Sequence, residues 1–180
     1  MALTKVLTGG IALDAVDNTI LKLDDDYALT GVIDGYAEPN FEAKLGSAQT
    51  GVADNTVTKI VFGTEEFDSN SKFDNSSTSR FTPTVAGQYF VYLSIGVNAS
   101  ADANLQNCYG HIYKNGESIK TSHFNFAGNN ARFAQLNVTS IVTLDGDDYI
   151  EAYIQAADSS GTISVQSGNY TTFGAFRIGT

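Results

Sequence analysis

Residues 73–93 read FDNSSTSRFTPTVAGQYFVYL. The stretch opens with Asn, Ser and Thr, passes Pro83 and Gly87, and ends in a nearly unbroken apolar run. Pro and Gly punctuate a turn. From Gly87 onward the alternation of a strand puts Tyr89, Val91, Leu93, Ile95 and Val97 on one face and Phe90, Tyr92, Ser94 and Gly96 on the other. An antiparallel sheet packed in a sandwich needs only one buried face, yet this strand carries large apolar or aromatic groups on both. Residues 108–113 repeat the theme, with Cys108, Gly110 and Ile112 on one side and Tyr109, His111 and Tyr113 on the other. Two such aromatic faces side by side form a patch larger than a monomer usually leaves in water. They predict a subunit interface rich in Tyr and Phe; a loop or an N-terminal arm lying over the face is the alternative cover.

Outward from this strand, the chain after Phe41 is dominated by Val, Ile, Thr, Phe and Tyr in period-2 segments at 56–63, 87–97, 107–114, 118–126, 133–144, 148–156 and the C-terminal stretch. Clusters of Ser, Asn, Asp and Gly separate them. Short strands of this kind predict a sandwich or jelly roll. Asn115-Gly116 and Asp145-Gly146 each supply a positive-φ pair and predict tight hairpins. Residues 1–40 differ: Asp14, Asp17, Asp24, Asp25, Asp26, Asp34 and Glu38 stand against Lys5 and Lys22, and short apolar bursts show no helical period. They read as extended segments that need a partner surface.

Length and charge narrow the function. A chain of 180 residues holds one domain of ordinary size plus an appendage. No apolar run approaches the roughly 18 residues of a spanning helix, and nothing resembles a signal peptide, so a soluble protein made without Sec-type export is expected. One cysteine, Cys108, excludes an intrachain disulfide and a closed Cys-based zinc site. A net charge of -10 and a pI near 4.4 repel phosphate, so neither nucleic acid nor membrane insertion is expected.

For catalysis the chain offers His111, His123, carboxylates and hydroxyls. It lacks a G-x-S-x-G elbow, a metal-binding His pair, a phosphate-binding loop and a reactive-cysteine setting. No catalytic residue and no enzyme activity are expected: both histidines read as structural and Cys108 as a core thiol. Oxygen ligands for calcium exist at Asp24–Asp26 and at Asp145, Asp147 and Asp148. Neither set has EF-hand spacing, and a solvated linker and a turn account for them, so no cofactor is expected. Four N-x-S/T triplets, at Asn75, Asn98, Asn137 and Asn169, read as chance in a Ser/Thr/Asn-rich chain. Polar loops are suited to adaptable recognition of carbohydrate or protein, and Asn70, Asn75, Asn98, Asn104, Asn129, Asn130 and Asp158 are their ligand-contact candidates.

Several segments carry a family resemblance: Phe41-Glu-Ala43, IVFGTEEFD (60–68), KFDNSSTSRFTPTVAGQYF (72–90), YKNG (113–116), LDGDDYIEAYI (144–154) and FGAFRI (173–178). In this order they resemble the C1q/TNF-like family over residues 41–180. The most specific piece is Phe73-Asp74, Thr78, Phe81-Thr82 and Gly87-Gln88-Tyr89-Phe90; Pro83 directly after Thr82 and the run Gly146-Asp147-Asp148-Tyr149 depart from the usual pattern. The resemblance implies a jelly roll of about ten antiparallel strands that associates as a homotrimer. Phe90, Tyr92, Tyr109, Tyr113 and Phe176 become its interface candidates. The opening ALTKVLTGG (2–10) is similar to the starts of structural proteins of tailed phages, in which an N-terminal segment anchors a trimeric head.

The expectation is therefore an anchoring and trimerisation arm over 1–40 and a C1q-like head over 41–180. The whole would be a non-enzymatic trimeric virion protein, a fibre, spike or head decoration on the particle surface. Its partners would be itself, other virion proteins through residues 1–40, and a host glycan or protein. A purely structural capsid-stabilising role without a host ligand, and a secreted C1q-like lectin, are the alternatives.

Overall fold

Along residues 87–99 the alternation resolves into burial. Tyr89, Val91, Leu93, Ile95 and Val97 are at most 1% exposed, whereas Phe90, Tyr92 and Ser94 look outward. The computed structural model describes residues 39–126 and 128–179, and the arm expected over residues 1–40 lies outside the described residues except for its last two. The strands are β1 (Asn40–Lys44), β2 (Gln49–Val52), β3 (Thr58–Lys59), β4 (Thr64–Asp68), β5 (Phe73–Asp74), β6 (Arg80–Phe81), β7 (Gly87–Ala99), β8 (Leu105–Lys114), β9 (Glu117–Asn125), β10 (Phe133–Leu144), β11 (Ile150–Asp158), β12 (Ile163–Val165) and β13 (Thr172–Gly179). A single 3-10 turn, Gly168–Tyr170, precedes β13.

Two antiparallel sheets face each other as a jelly roll. Sheet 1 runs β2-β12-β7-β13-β1-β4, with β10 along the other edge of β7; sheet 2 runs β5-β6-β11-β8-β9, with β3 beside β11. Between them lies an apolar core, because β7, β10 and β13 on one side and β8 and β11 on the other each turn an alternate set inward. Phe41 sits in it fully buried, stacked on Phe73 and Phe81 at 4.6 and 4.5 Å and edge-on to Phe173 at 5.2 Å. Those four rings come from β1, from β5 and β6 and from β13, so their packing ties distant segments together.

Asn115 and Gly116, at φ 52° and 84°, form the tight β8–β9 hairpin that the dipeptide predicts. Asp145-Gly146 does not form a hairpin. Strand β10 pairs with β7 in sheet 1 and β11 with β8 in sheet 2, so the turn arches from one sheet to the other. Leu136, Val138 and Leu144 on β10 and Ile150, Ala152 and Ile154 on β11 enter the core from opposite sides, which a hairpin within one sheet would not permit. The segment 56–63 forms a strand only at Thr58–Lys59, although the Ile60 N–H also donates to the Ala152 carbonyl at 3.0 Å; Ile60 and Phe62 are buried.

The NSSTS cluster at 75–79 is a knot around one carboxylate. Asp74 accepts the N–H groups of Ser76, Ser77 and Thr78 and all three of their hydroxyls. Those bonds, led by the hydroxyls of Ser77 and Thr78, hold the Asp74 carboxyl far below the usual carboxylate range. Register fixes the domain's two ends. Asn40, Gly179 and the 69–80 and 145–149 turns gather at one, and the loops 53–57, 100–104, 128–131 and 158–162 at the other. Among the described residues no helix is long and apolar enough to cross a membrane.

Candidate functional site

The outer face of sheet 1 is built from two cross-strand rows. Ile141, Phe90, Phe176 and Asn40 are in register across β10, β7, β13 and β1, and below them Thr139, Tyr92, Gly174, Glu42 and Phe67 continue onto β4. The rings of Phe90 and Phe176 lie 5.4 Å apart, and Phe90 and Tyr92 6.3 Å. Ile141 is 61% exposed and Phe67, Phe176 and Ile178 are 45–49% exposed, so in the isolated chain an apolar row through Ile141, Phe90 and Phe176 meets water, with Phe67 beyond Glu42 on the edge strand. One polar group is fastened within it: the Tyr92 hydroxyl donates to Glu42 Oε2 at 2.6 Å. Burial and the neighbouring Glu42 carboxylate both push the Tyr92 hydroxyl well above the usual phenol range. Gly174 permits this, since a Cβ there would collide with the Tyr92 ring and lie 2.8 Å from the Phe41 carbonyl oxygen. At the rim Lys44 pairs with Glu66.

Beside this face the sandwich presents its β9 and β10 edges. All of β9 is exposed or half-buried, with Ile119 40% and Phe124 45% exposed, and Phe133 on β10 packs edge-on to Tyr170 at 5.6 Å.

The sequence-derived interface set divides between two surfaces. Phe90, Tyr92 and Phe176 lie together on sheet 1, whereas Tyr109 and Tyr113 lie on the outer face of sheet 2, on the opposite side of the sandwich. Strands β7 and β8 are consecutive but belong to different sheets. Their inner sets face each other and their outer sets point apart. Tyr109 and Tyr113 instead flank His111, at 6.3 and 6.0 Å between rings. His111 is 9% exposed, shares a hydrogen bond with Thr121 Oγ1 through Nδ1 at 2.9 Å, and has its pKa lowered by burial. Tyr153 packs on Tyr113 at 4.2 Å, and His123 stacks on Tyr109 at 5.3 Å.

Next to these rings Glu151, its side chain 3% exposed, takes Lys59 Nζ at 2.5 Å, Arg80 Nε and Nη2 at 3.1 and 3.0 Å, and the Tyr153 hydroxyl at 3.1 Å. Burial alone would raise the Glu151 carboxyl, but the hydrogen bonds and charges of Lys59 and Arg80 outweigh it and hold it low. Arg80 also lies 3.5 Å over the Tyr149 ring.

The loop candidates divide as well. Asn98, Asn104, Asn129, Asn130 and Asp158 belong to the end away from Asn40, while Asn70 and Asn75 lie at the Asn40 end. At the far end Asn104 bonds Ser160 O at 2.5 Å and Ser159 through backbone and side chain. Asp158 N–H donates to Asp54 Oδ1, and Arg132 pairs with Asp102 at 3.0 Å.

The aspartates at 145–148 serve their turn. Asp145 Oδ1 accepts the N–H groups of Asp147 and Asp148, and Asp148 binds Lys114 at 2.8 Å and Asn115 at 2.5 Å. Slight burial would raise the Asp148 carboxyl, but Lys114 and Asn115 bring it down to about 2. Among the described residues no group of three or more His, Cys, Asp or Glu side chains is placed to hold a metal ion. Cys108 is fully buried, and burial pushes its thiol up to about 11. Glu42, Phe67, Ile141 and Gly174 are the members of the sheet 1 face that sequence reading missed; the FGAF run at 173–176 was a signal, since a small residue between aromatics leaves room for a neighbouring ring.

An antiparallel two-sheet jelly roll is the class of protein that this geometry defines. The model of the C1q domain matches residues 41–178. The chain belongs to the C1q domain family. Murine APRIL, in a crystal structure at pH 5.0, superposes with a TM-score of 0.57 at 9% identity, covering 78% of this chain and 99% of that one. The globular domain of zebrafish complement 1qA protein superposes with a TM-score of 0.50 at 17% identity, covering 78% and 97%. At these identities the likeness is one of fold. No curated protein matches the chain.

Proposed function

We propose that the chain is a non-enzymatic homotrimeric component of a virion surface, a fibre, spike or head decoration, whose C1q-like head is used for attachment to a host surface. The observation that carries the trimer is the apolar outer face of sheet 1, where Ile141, Phe90 and Phe176 stand in one cross-strand row and Phe67 lies exposed on β4. Such a face needs a cover, and the exposed Ile119, Phe124 and Phe133 at the β9 and β10 edges offer one of matching chemistry from a second copy. A contact of face against edge is heterologous and closes only as a ring, for which three subunits is the family's implied number. The virion location rests on the resemblance of residues 2–10 to phage structural proteins. Adhesion draws on polarity within the head: β1 begins at one end, and the loops at 100–104, 128–131 and 158–162 lie at the other, free to point away from an anchor.

Light scattering on the full chain tests the assembly. The expected mass is three times 19.2 kDa, and Phe90→Asp should release protomers with an unchanged far-UV spectrum. A wild-type monomer would withdraw both the trimer and the three-fold adhesin built on it. Mass spectrometry of purified particles tests virion residence. A trimer that resides on particles but leaves host cells unbound would reduce the role to capsid decoration.

A further inference from the structure

The outer face of sheet 2 differs in kind from that of sheet 1. Its cross-strand rows are Glu151–Tyr113–Ser118, Tyr153–His111–Thr121, Gln155–Tyr109–His123 and Ala157–Asn107–Asn125. No Leu, Ile, Val or Phe occupies any of these positions. At the centre His111 is 91% buried among Tyr109, Tyr113 and Tyr153, given its 9% exposure, and its Nε2 has no hydrogen-bond partner. A buried ring nitrogen left open by the protein calls for a partner from outside the chain, a water or a ligand hydroxyl.

We infer that the Tyr109–His111–Tyr113–Tyr153 platform on the outer face of sheet 2 is a saccharide-binding surface, taking neutral oligosaccharides. A sugar hydroxyl both donates and accepts, so it satisfies Nε2 in either tautomer. Tyrosine rings give broad, rigid, amphipathic contact at small entropic cost, and Gln155, Asn107, Asn125 and Thr121 surround them with amide and hydroxyl groups. The cations at hand, Lys59 and Arg80, are both engaged by Glu151, so the face does not call for an anionic ligand. The surface deepens the attachment reading and rests on it in one respect: with the sheet 1 face turned inward, three copies of this platform look outward, and weak sites add by multivalency.

The test is a printed array of neutral oligosaccharides probed with the full-length chain, followed by calorimetric titration of the best-bound sugar. Binding is expected, and Tyr109→Ala and Tyr113→Ala should each weaken it about tenfold. The loop substitutions Asn104→Ala and Asn129→Ala should change it less than about twofold. Should a tyrosine variant fail to fold, exposed His123→Ala and the space-filling His111→Phe read out the same face. An array blank at about 1 mM chain, binding that follows the loop variants, or recognition of peptide rather than sugar overturns the proposal. Light scattering on the same samples separates the two failures: a trimer that binds no sugar sinks the platform alone, and a monomer sinks the assembly.

Discussion

Glu151→Gln is the most informative single perturbation of the domain's interior electrostatics. The side chain is 3% exposed and gathers Lys59, both donors of Arg80 and the Tyr153 hydroxyl at 2.5–3.1 Å. Glutamine keeps the shape and one acceptor but removes the charge that both cations face. Breaking a well-buried ion pair costs about 3–5 kcal/mol. Here Lys59 and Arg80 remain 27% and 34% exposed and can rehydrate, so the expected loss is smaller, about 2–3 kcal/mol. For a domain of this size that lowers the melting temperature by roughly 5–10 °C. Thermal and denaturant melts must be run at one protein concentration, because assembly would otherwise shift the midpoint.

The pH dependence gives a second handle on the same residue. Glu151 has its folded pKa below the unfolded value of about 4.3. Its contribution is complete above that value and disappears as pH falls through the folded pKa. The gap between wild type and Glu151→Gln should hold steady from about pH 8 to about pH 5 and narrow toward about pH 3. A gap under about 0.5 kcal/mol at pH 7, or one that does not narrow in acid, would refute the argument that the carboxylate organises this corner.

Gly174→Ala should displace the Tyr92 ring, break its bond to Glu42 and cost about 1–3 kcal/mol; an unchanged melting curve would show that sheet 1 absorbs the methyl group without strain. Cys108 should resist a thiol reagent at pH 8 in the native protein and react fully in denaturant, since burial raises its thiol to about 11; fast native labelling would contradict the buried placement. Asp74→Ala should speed amide exchange at Ser76, Ser77 and Thr78 and leave β8 protected; unaltered exchange in the turn would mean that the backbone holds its own shape. Phe90→Asp should reduce the solution mass to one chain while keeping the β-sheet spectrum, and a surviving oligomer would locate the interface elsewhere.

Much of the head was legible because period-2 alternation, turn dipeptides and the spaced aromatics of residues 73–90 all describe local chemistry. Tyr89 and Phe90 were separable onto two faces from sequence, and Asn115-Gly116 named its own hairpin. Which sheet each strand joins is a different kind of information. Asp145-Gly146 satisfies the same dihedral preferences as a hairpin turn, yet its flanking strands diverge to opposite sheets because both must bury an apolar set in one core. For the same reason Phe90 and Tyr109, both outward-facing on consecutive strands, could not be assigned to one surface or two. Glu42, Phe67 and Ile141 escaped notice because each belongs to the face only through cross-strand register.

Once the two outer faces are known to be opposite, their chemistry orients the molecule in the proposed trimer. Turning sheet 2 inward would desolvate His123 and the partly exposed Lys59 and Arg80, charged or polar groups whose transfer from water is expensive even when they are paired. It would also leave Ile141, Phe67 and Phe176, each 45–61% exposed in the isolated chain, in water on the outside. Turning sheet 1 inward removes that apolar surface from water, and the polar pair it takes along, the Glu42 carboxylate and the Tyr92 hydroxyl, is already joined by a hydrogen bond, with Lys44 and Glu66 paired at the rim. Both terms favour the same orientation. In the proposed trimer, Phe, Ile and Phe in one cross-strand row of sheet 1 and Tyr, His and Tyr along one strand of sheet 2 thus favour sheet 1 as the side turned to sister chains.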